Sequence, residues 1–179
     1  MMVVRAAAQA LTHADEDGFR RTMSRFATCV SVTTTLGQDG PVGCTTTAVL
    51  SLSLCPPTML VSLRSTGRTL DELLAVGMFA VNVLSRRQRD LVERFATGDP
   101  LRRFDGVPHT TCAGVPVLTG ATATVVCELR DAMTVLDHTL LVGTAQRTQT
   151  SSESPLVLLD GHSHAVARMG QAAARATGG

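Results

Sequence analysis

Short β-branched segments separated by turn formers run almost the whole length of this sequence, and they exclude most folds that are not mainly β. "CVSVTTT" (Cys29–Thr35) is followed by "LGQDGP", whose Gly37, Asp39, Gly40 and Pro41 favour a tight turn, and a second extended run begins at Val42. That order is a hairpin signature. "PTMLVSLR" (Pro57–Arg64) follows a Pro-Pro pair that fixes φ and removes two ladder donors where the strand begins. "GMFAVNVL" (Gly77–Leu84), "ATATVVCELR" (Ala121–Arg130), "TLLVGTAQRT" (Thr139–Thr148) and "PLVLLD" (Pro155–Asp160) complete the expected strands.

Helical patterning interrupts this run at two places. "TLDELLAV" sets Thr69 and Glu72 at capping-box spacing and puts Leu70, Leu73 and Leu74 on one face. "SRRQRDLVERFAT" repeats the device with Ser85 and Gln88, followed by Leu91, Val92 and Phe95 at helical spacing. A further helix is expected over about 15–26, and an Ala-rich tail closes the sequence. Because strands and helices do not alternate regularly, a doubly wound sheet is disfavoured; a closed antiparallel β-barrel would also remove exposed strand edges. No repeat or low-complexity linker divides the chain, so one domain over 1–179 is expected.

Composition excludes several functions. Sixteen basic against fifteen acidic residues leave a net charge of +1, which argues against an electrostatically driven nucleic-acid surface. Tryptophan and tyrosine are absent and phenylalanine occurs five times, too little for aromatic stacking platforms. Five cysteines, at positions 29, 44, 55, 112 and 127, form no CxxC pair, and their odd count points to free thiols in a reducing cytoplasm. Arg5 and three acids by position 17 set the N-terminus apart from a signal peptide, and no segment offers the ~18 uninterrupted apolar residues of a membrane span.

Motif by motif, most chemistry falls away. No GxGxxG, P-loop, HExxH or GxSxG pattern is present, so dinucleotide folds, P-loop enzymes, zincins and α/β-hydrolases lack their phosphate or nucleophile devices. His162 and His164 in "HSH" share one face of an extended segment, but no third ligand lies nearby, and an exposed strand end accounts for them better than a metal. What is left is "GCTTTAVLSLSLCPP" (Gly43–Pro57). β-propensity suits Thr45, Thr46 and Thr47 to any strand. Beside Gly43 and near a strand end, they also suit an anion, because hydroxyls and free backbone N–H groups grip phosphate oxygens without a lysine. Arg64, Ser65, Thr66 and Arg68 follow the next strand and are placed to meet the same anion.

"FRRTMSRFATCVSVTTT", "DGPVGCTTTAVLSLSLCPP", "GMFAVNVLSRRQRDLVERFA", "RRFDGV", "GVPVLTGATATVVCEL" and "DHTLLVG" occur in that order over about 19–161. In this arrangement the chain resembles the short-chain flavin reductases, which supply reduced flavin to two-component monooxygenases. The resemblance implies a Greek-key split β-barrel with short peripheral helices, with 1–14 and 168–179 as flexible tails. It further implies a homodimer that reduces FAD or FMN with NADH or NADPH, FAD and NADH being favoured, and passes diffusing reduced flavin to a separate monooxygenase.

By the same resemblance, flavin contacts fall on Thr45, Thr46, Thr47 and Ala48, with Ser51 and Ser53 downstream, and on Ser62, Arg64 and Ser65 of the following strand. Arg103 and Phe104 in "LRRFDG" are placed to cover the flavin or to meet a second subunit. Asp137 and His138 stand where relatives set a histidine near the nicotinamide. No residue is cast as catalytic and no metal is implied, because the hydride passes between cofactors and the protein supplies geometry and electrostatics.

Departures from the family pattern matter. Many relatives carry two serines where Thr47 and Ala48 stand, so one hydroxyl is missing. Cys55 replaces an aspartate before Pro-Pro and Cys29 replaces a glycine; both thiols are expected to pack as small hydrophobes. His162 and His164 stand where relatives often end in a basic residue and a tyrosine. Asn82, inside an apolar strand, requires a buried partner, either flavin or backbone. Two further readings remain: a non-catalytic flavin carrier, and a split-barrel flavin oxidase acting on another substrate.

Overall fold

Asp15 caps a short helix with its side chain, which accepts from Gly18 N. The computed structural model describes residues 14–166; the expected tails, apart from Ala14, and most of the Ala-rich C-terminal run lie outside them. The helix, α1, spans Glu16–Ser24 and buries no residue. Then come β1 (Thr28–Cys29), β2 (Ser31–Gly37), β3 (Gly40–Thr46), β4 (Val49–Leu54) and β5 (Pro57–Arg64). Helix α2 (Arg68–Val76) leads into β6 (Met78–Val83), a single 3-10 turn (Arg86–Gln88) and α3 (Leu91–Ala96). The C-terminal half is β7 (His109–Cys112), β8 (Val115–Leu118), β9 (Ala123–Val135), β10 (His138–Thr150), β11 (Leu156–Leu159) and β12 (His162–Ala165).

Seven strands form one antiparallel sheet in the order β3-β2-β6-β9-β10-β5-β4. The β2–β3 hairpin closes where the sequence places its turn, with Gly40 at φ +126°. The expected closed ring is not completed by strand pairing: among the described residues the ladder is open between β3 and β4. Its cause is local, since Thr47 and Ala48 alone join these two edge strands and the chain parts from β2 there to pair with β5. Side chain and backbone stitch across the opening instead. Thr46 Oγ1 donates to the Ser62 carbonyl at 3.3 Å, and Ser62 N donates to the Ala48 carbonyl at 2.9 Å.

Aliphatic side chains fill the interior in three clusters. Leu70 and Leu73 of α2 pack on Val61, Phe79, Val81 and Leu141. Phe95 and Leu91 of α3 pack on Val30, Val32, Leu84 and Leu156. Val115 and Val117 seat the β7–β8 hairpin on Ala80 and Val126. Each fully buried Leu or Phe contributes about 1.5–3 kcal/mol, so the two helices are held by packing rather than by propensity. Asn82, fully buried, solves its polar requirement with the backbone and neighbouring hydroxyls: Nδ2 donates to the Val32 carbonyl and Thr34 Oγ1, each at 3.1 Å, while Oδ1 accepts from Leu118 N at 3.0 Å.

Several expectations need correction. The capping box at Thr69 and Glu72 does not form, because Gly67 takes the N-cap and Thr69 becomes a buried position inside α2. The second capping box forms, with Ser85 N donating to Gln88 Oε1 at 3.1 Å, but it opens a single 3-10 turn, and α3 follows as a separate helix. Cys29 and Cys55 are exposed rather than packed. Cys29 precedes the buried Val30 and so faces outward, and Cys55 lies in the β4–β5 turn. Strands β4, β7 and β8 add to those expected, while His162 and His164 lie exposed on β12, in keeping with the strand-end reading.

Candidate functional site

A cleft of about 670 Å³ opens at the seam where β3 parts from β4. One wall is the end of β3 and its link, Thr45, Thr46, Thr47 and Ala48; another is Ser62 and Arg64 at the end of β5. The start of α2, the C-terminal turn of α3, Arg103 and His138 complete it. Sequence reasoning therefore places ten residues that the structure brings together: Thr45, Thr46, Thr47, Ala48, Ser62, Arg64, Thr66, Arg68, Arg103 and His138. Ser51, Ser53, Ser65, Phe104 and Asp137 do not line the cleft.

Each outlier has a local reason. Ser51 and Ser53 ride on β4 beyond the seam, where Ser53 Oγ accepts from Cys55 N at 3.2 Å. Ser65 Oγ pairs with Thr139 Oγ1 at 3.0 Å, beneath the cleft rim. Phe104 stacks edge-on against Phe95 and His109, each with centroids 5.1 Å apart, and joins the apolar core instead of covering a ligand. Asp137 stays outside but holds His138, whose Nδ1 lies 2.9 Å from Asp137 Oδ1. That hydrogen bond is the first cause holding the Asp137 carboxyl below the usual carboxylate range, with its own backbone hydrogen bond and the nearby charges of His138 and Arg64 adding to it.

The three threonines are not equivalent. Thr45 Oγ1 donates to the Val92 carbonyl at 2.7 Å and fastens β3 to α3. Thr46 Oγ1 donates to Ser62 O and accepts from Ala48 N at 3.2 Å. Two hydroxyl protons are thus committed within the protein, and the Ala48 amide with them. Phosphate oxygens accept only, so Thr45 and Thr46 have no hydroxyl proton left for an anion, and the exposed Thr47, the arginines and the first amides of α2 are among the donors that remain. Gly67 supplies no side-chain cap to those amides.

Electrostatically the cleft is one-signed. Arg64, Arg68 and Arg103 line it and no carboxylate does. Arg103 is fixed by carbonyls, donating to Gly43 at 2.9 Å, Gly98 at 3.0 Å and Ala96 at 3.4 Å. Gly43 permits the arrangement, because a Cβ there would approach Thr33 O and Thr34 Cγ2 at 3.1 Å and Phe95 Cε1 at 3.2 Å. Arg64 lies directly across the β5–β10 ladder from His138. The Cys44 thiol, also in the lining, is pushed up by burial and is unsuited to attack. Thr66, Gly67 and Thr69, with Ala96 and Thr97, are lining residues beyond those carried by the resemblance. A helix start after Gly67 and the "TGDP" breaker after α3 are the signals that locate them.

Fold and site together define an open, seven-stranded antiparallel sheet with a basic, hydroxyl-lined cleft at its seam. The family described as Flavin reductase like domain matches residues 23–167, and this chain belongs to it. Flavin reductase (NADH) of Kitasatospora aureofaciens is 36% identical over 149 residues, covering 81% of this chain and 78% of that protein. The flavin-dependent monooxygenase reductase subunit HsaB of Rhodococcus jostii (strain RHA1) is 32% identical over 149 residues, 82% of this chain and 76% of its own. Among solved structures, the Streptomyces globisporus C-1027 NADH:FAD oxidoreductase SgcE6, in complex with NAD and FAD fragments, superposes with a TM-score of 0.80 at 27% identity, covering 87% of this chain and 95% of that one.

Proposed function

We propose that this chain is an NADH-dependent flavin reductase that supplies reduced flavin to a separate monooxygenase, its cleft holding the phosphate-bearing part of the flavin. The observation that carries the reading is the convergence of Arg64, Arg68 and Arg103 on a wall of threonines with no carboxylate among the lining residues. Such a lining fits an anionic nucleotide, and it offers no paired acid and base and no activated nucleophile. When bound, the two cofactors supply the chemistry, a hydride passing from a dihydronicotinamide to the flavin ring.

The residues bind and orient. Thr47 and the opening amides of α2 donate to phosphate oxygens, and Arg103 keeps its charge at the floor because three carbonyls hold it there. Arg64 opposes negative charge on the ring, and His138, steadied by Asp137, orients the nicotinamide on the facing strand. Ala48, with no hydroxyl, contributes wall, and Ser62 stands across the seam from it at the end of β5. Ser51, Ser53, Ser65 and Phe104 act on the scaffold.

FAD is favoured over FMN on two grounds. A relative of the same fold is named an NADH:FAD oxidoreductase. A second groove of about 520 Å³, lined by Phe19, Met23 and Phe26, meets the cleft at Thr47 and offers an apolar seat for a second ring system. Leu50, Leu52 and Leu54, exposed by 49%, 52% and 87% on edge strand β4, favour a homodimer that covers this edge. Five free thiols suit a reducing cytoplasm. No helix among the described residues is long and apolar enough to cross a membrane. The match over 23–167 favours one domain.

The test is NADH consumption by the purified chain with no flavin, with FMN and with FAD. Turnover that depends on added flavin supports the reductase, and a higher kcat/KM with FAD supports the preference. Tight flavin binding without NADH oxidation would make the protein a carrier; flavin-independent turnover of another substrate would make it an oxidase.

A further inference from the structure

Arg68 lines the cleft but is not free in it. Its Nη2 donates to Asp39 Oδ2 at 2.8 Å, and its Nε lies 3.7 Å from Glu72 Oε1. Asp39 belongs to the β2–β3 turn and Glu72 to the next turn of α2, so the guanidinium bridges two elements. The two carboxylates differ in freedom. Glu72 is fixed: its Oε2 accepts from Gln38 N at 3.1 Å, and Gly37 makes room for it, since a Cβ there would fall 2.7 Å from Glu72 Cδ. Asp39 is loose, its side chain 73% exposed against 20% for Glu72. Among the cleft arginines only Arg68 has carboxylate partners within ion-pair distance; Arg103 rests on carbonyls, and Arg64 has no such partner among the described residues.

We infer that Asp39 is a positioning residue that sets the affinity of the cleft for phosphate, by holding Arg68 towards the β2–β3 turn until a phosphate-bearing ligand draws it away. This rests on the flavin reading above. An ion pair as exposed as Arg68–Asp39 is held weakly, so the exchange of carboxylate for phosphate is easily reversed. Glu72, anchored on Gln38, keeps the first turn of α2 in place while Arg68 changes partner. A protein whose product is a departing flavin gains from such a competitor, because an Arg68 released from Asp39 would hold the phosphate longer.

Binding of FMN and of riboflavin, which has the same ring without phosphate, separates this from a structural role. Both are titrated by flavin fluorescence on the full chain, for wild type, Asp39→Asn, Asp39→Ser, Asp39→Glu and Arg68→Gln, with thermal midpoints as the fold control. Neutral residues at position 39 should tighten FMN by about two- to fivefold and leave riboflavin unchanged. Asp39→Glu should restore wild-type values, and in the Arg68→Gln background the position-39 effect should vanish. Unchanged or weaker FMN binding in the neutral variants overturns the inference, as does an equal response of riboflavin. Wild type that binds neither flavin removes the reductase reading and this inference together; wild type that binds FMN and riboflavin without the Asp39 effect removes the inference alone.

Discussion

The guanidinium of Arg103 reaches the carbonyl of Gly43, a contact between positions sixty residues apart that ties the loop after α3 to the middle of β3. Its remaining nitrogens meet Gly98 and Ala96 carbonyls, so one planar fork organises the cleft floor. A lysine has a single ammonium and does not reproduce that fork. Arg103→Lys is expected to lose about 1–3 kcal/mol of stability through unpaired carbonyls and to weaken flavin binding, read from a denaturant midpoint and a flavin titration. Wild-type values in both would show that the fork is dispensable.

Asn82 joins β2, β6 and the end of β8 through four hydrogen bonds in a fully buried site. Asn82→Ala leaves the buried Leu118 N without its acceptor and removes the amide donor to the Val32 carbonyl, and about 2–4 kcal/mol of stability should be lost. Chemical denaturation measures it. A change under about 1 kcal/mol would mean that water replaces the amide.

His138 is expected to act on the nicotinamide side. His138→Asn should lower kcat with NADH severalfold while flavin affinity, measured separately, stays near wild type. An equal loss of flavin affinity would move His138 to the flavin side of the cleft.

Asp137 gives an acid-side signature. Its folded pKa is depressed, so the stabilisation is complete above the ordinary value of 3.8 and is lost as pH falls through the lowered folded value. The stability difference between wild type and Asp137→Asn should therefore be flat at neutral pH and close up below that value. A difference that grows on acidification would contradict the assignment.

Gly143 stands at a register shift between β9 and β10, where a Cβ would come 2.6 Å from Phe79 Cζ and 2.9 Å from Cys127 Cβ. Both neighbours are fully buried and have no room to yield. Gly143→Ala should cost about 1–3 kcal/mol from overpacking, visible as a lowered thermal midpoint.

Much of this fold is legible from pattern. β2, β5, β6 and β10 announce themselves by β-branched content, and the turn after Leu36 by its glycines and proline. β4 is harder to read because its Leu50, Leu52 and Leu54 lie exposed on an edge, where alternation carries no burial signal. β7 and β8 are only four residues each and sit among prolines and glycines. The Thr69 capping box misleads because a spacing rule does not know that Gly67 has already taken the cap. At the site, residue types are readable but directions are not. Thr45 and Thr46 look like ligand hydroxyls until Val92 and Ser62 are seen to accept from them, and Phe104 looks like a cover until Phe95 is seen beneath it.

The two-residue passage at Thr47 and Ala48 has a consequence for how this barrel tolerates change in length. Side chains on a strand alternate between faces, so a single extra residue there would slide β4 by one place against β5 or force a bulge. The slip would turn Val49 outward and Leu50 inward, altering the seam and the outer edge at one stroke. An indel at this spot therefore disturbs the cleft wall at Thr47 and Ala48 and the β4–β5 pairing together.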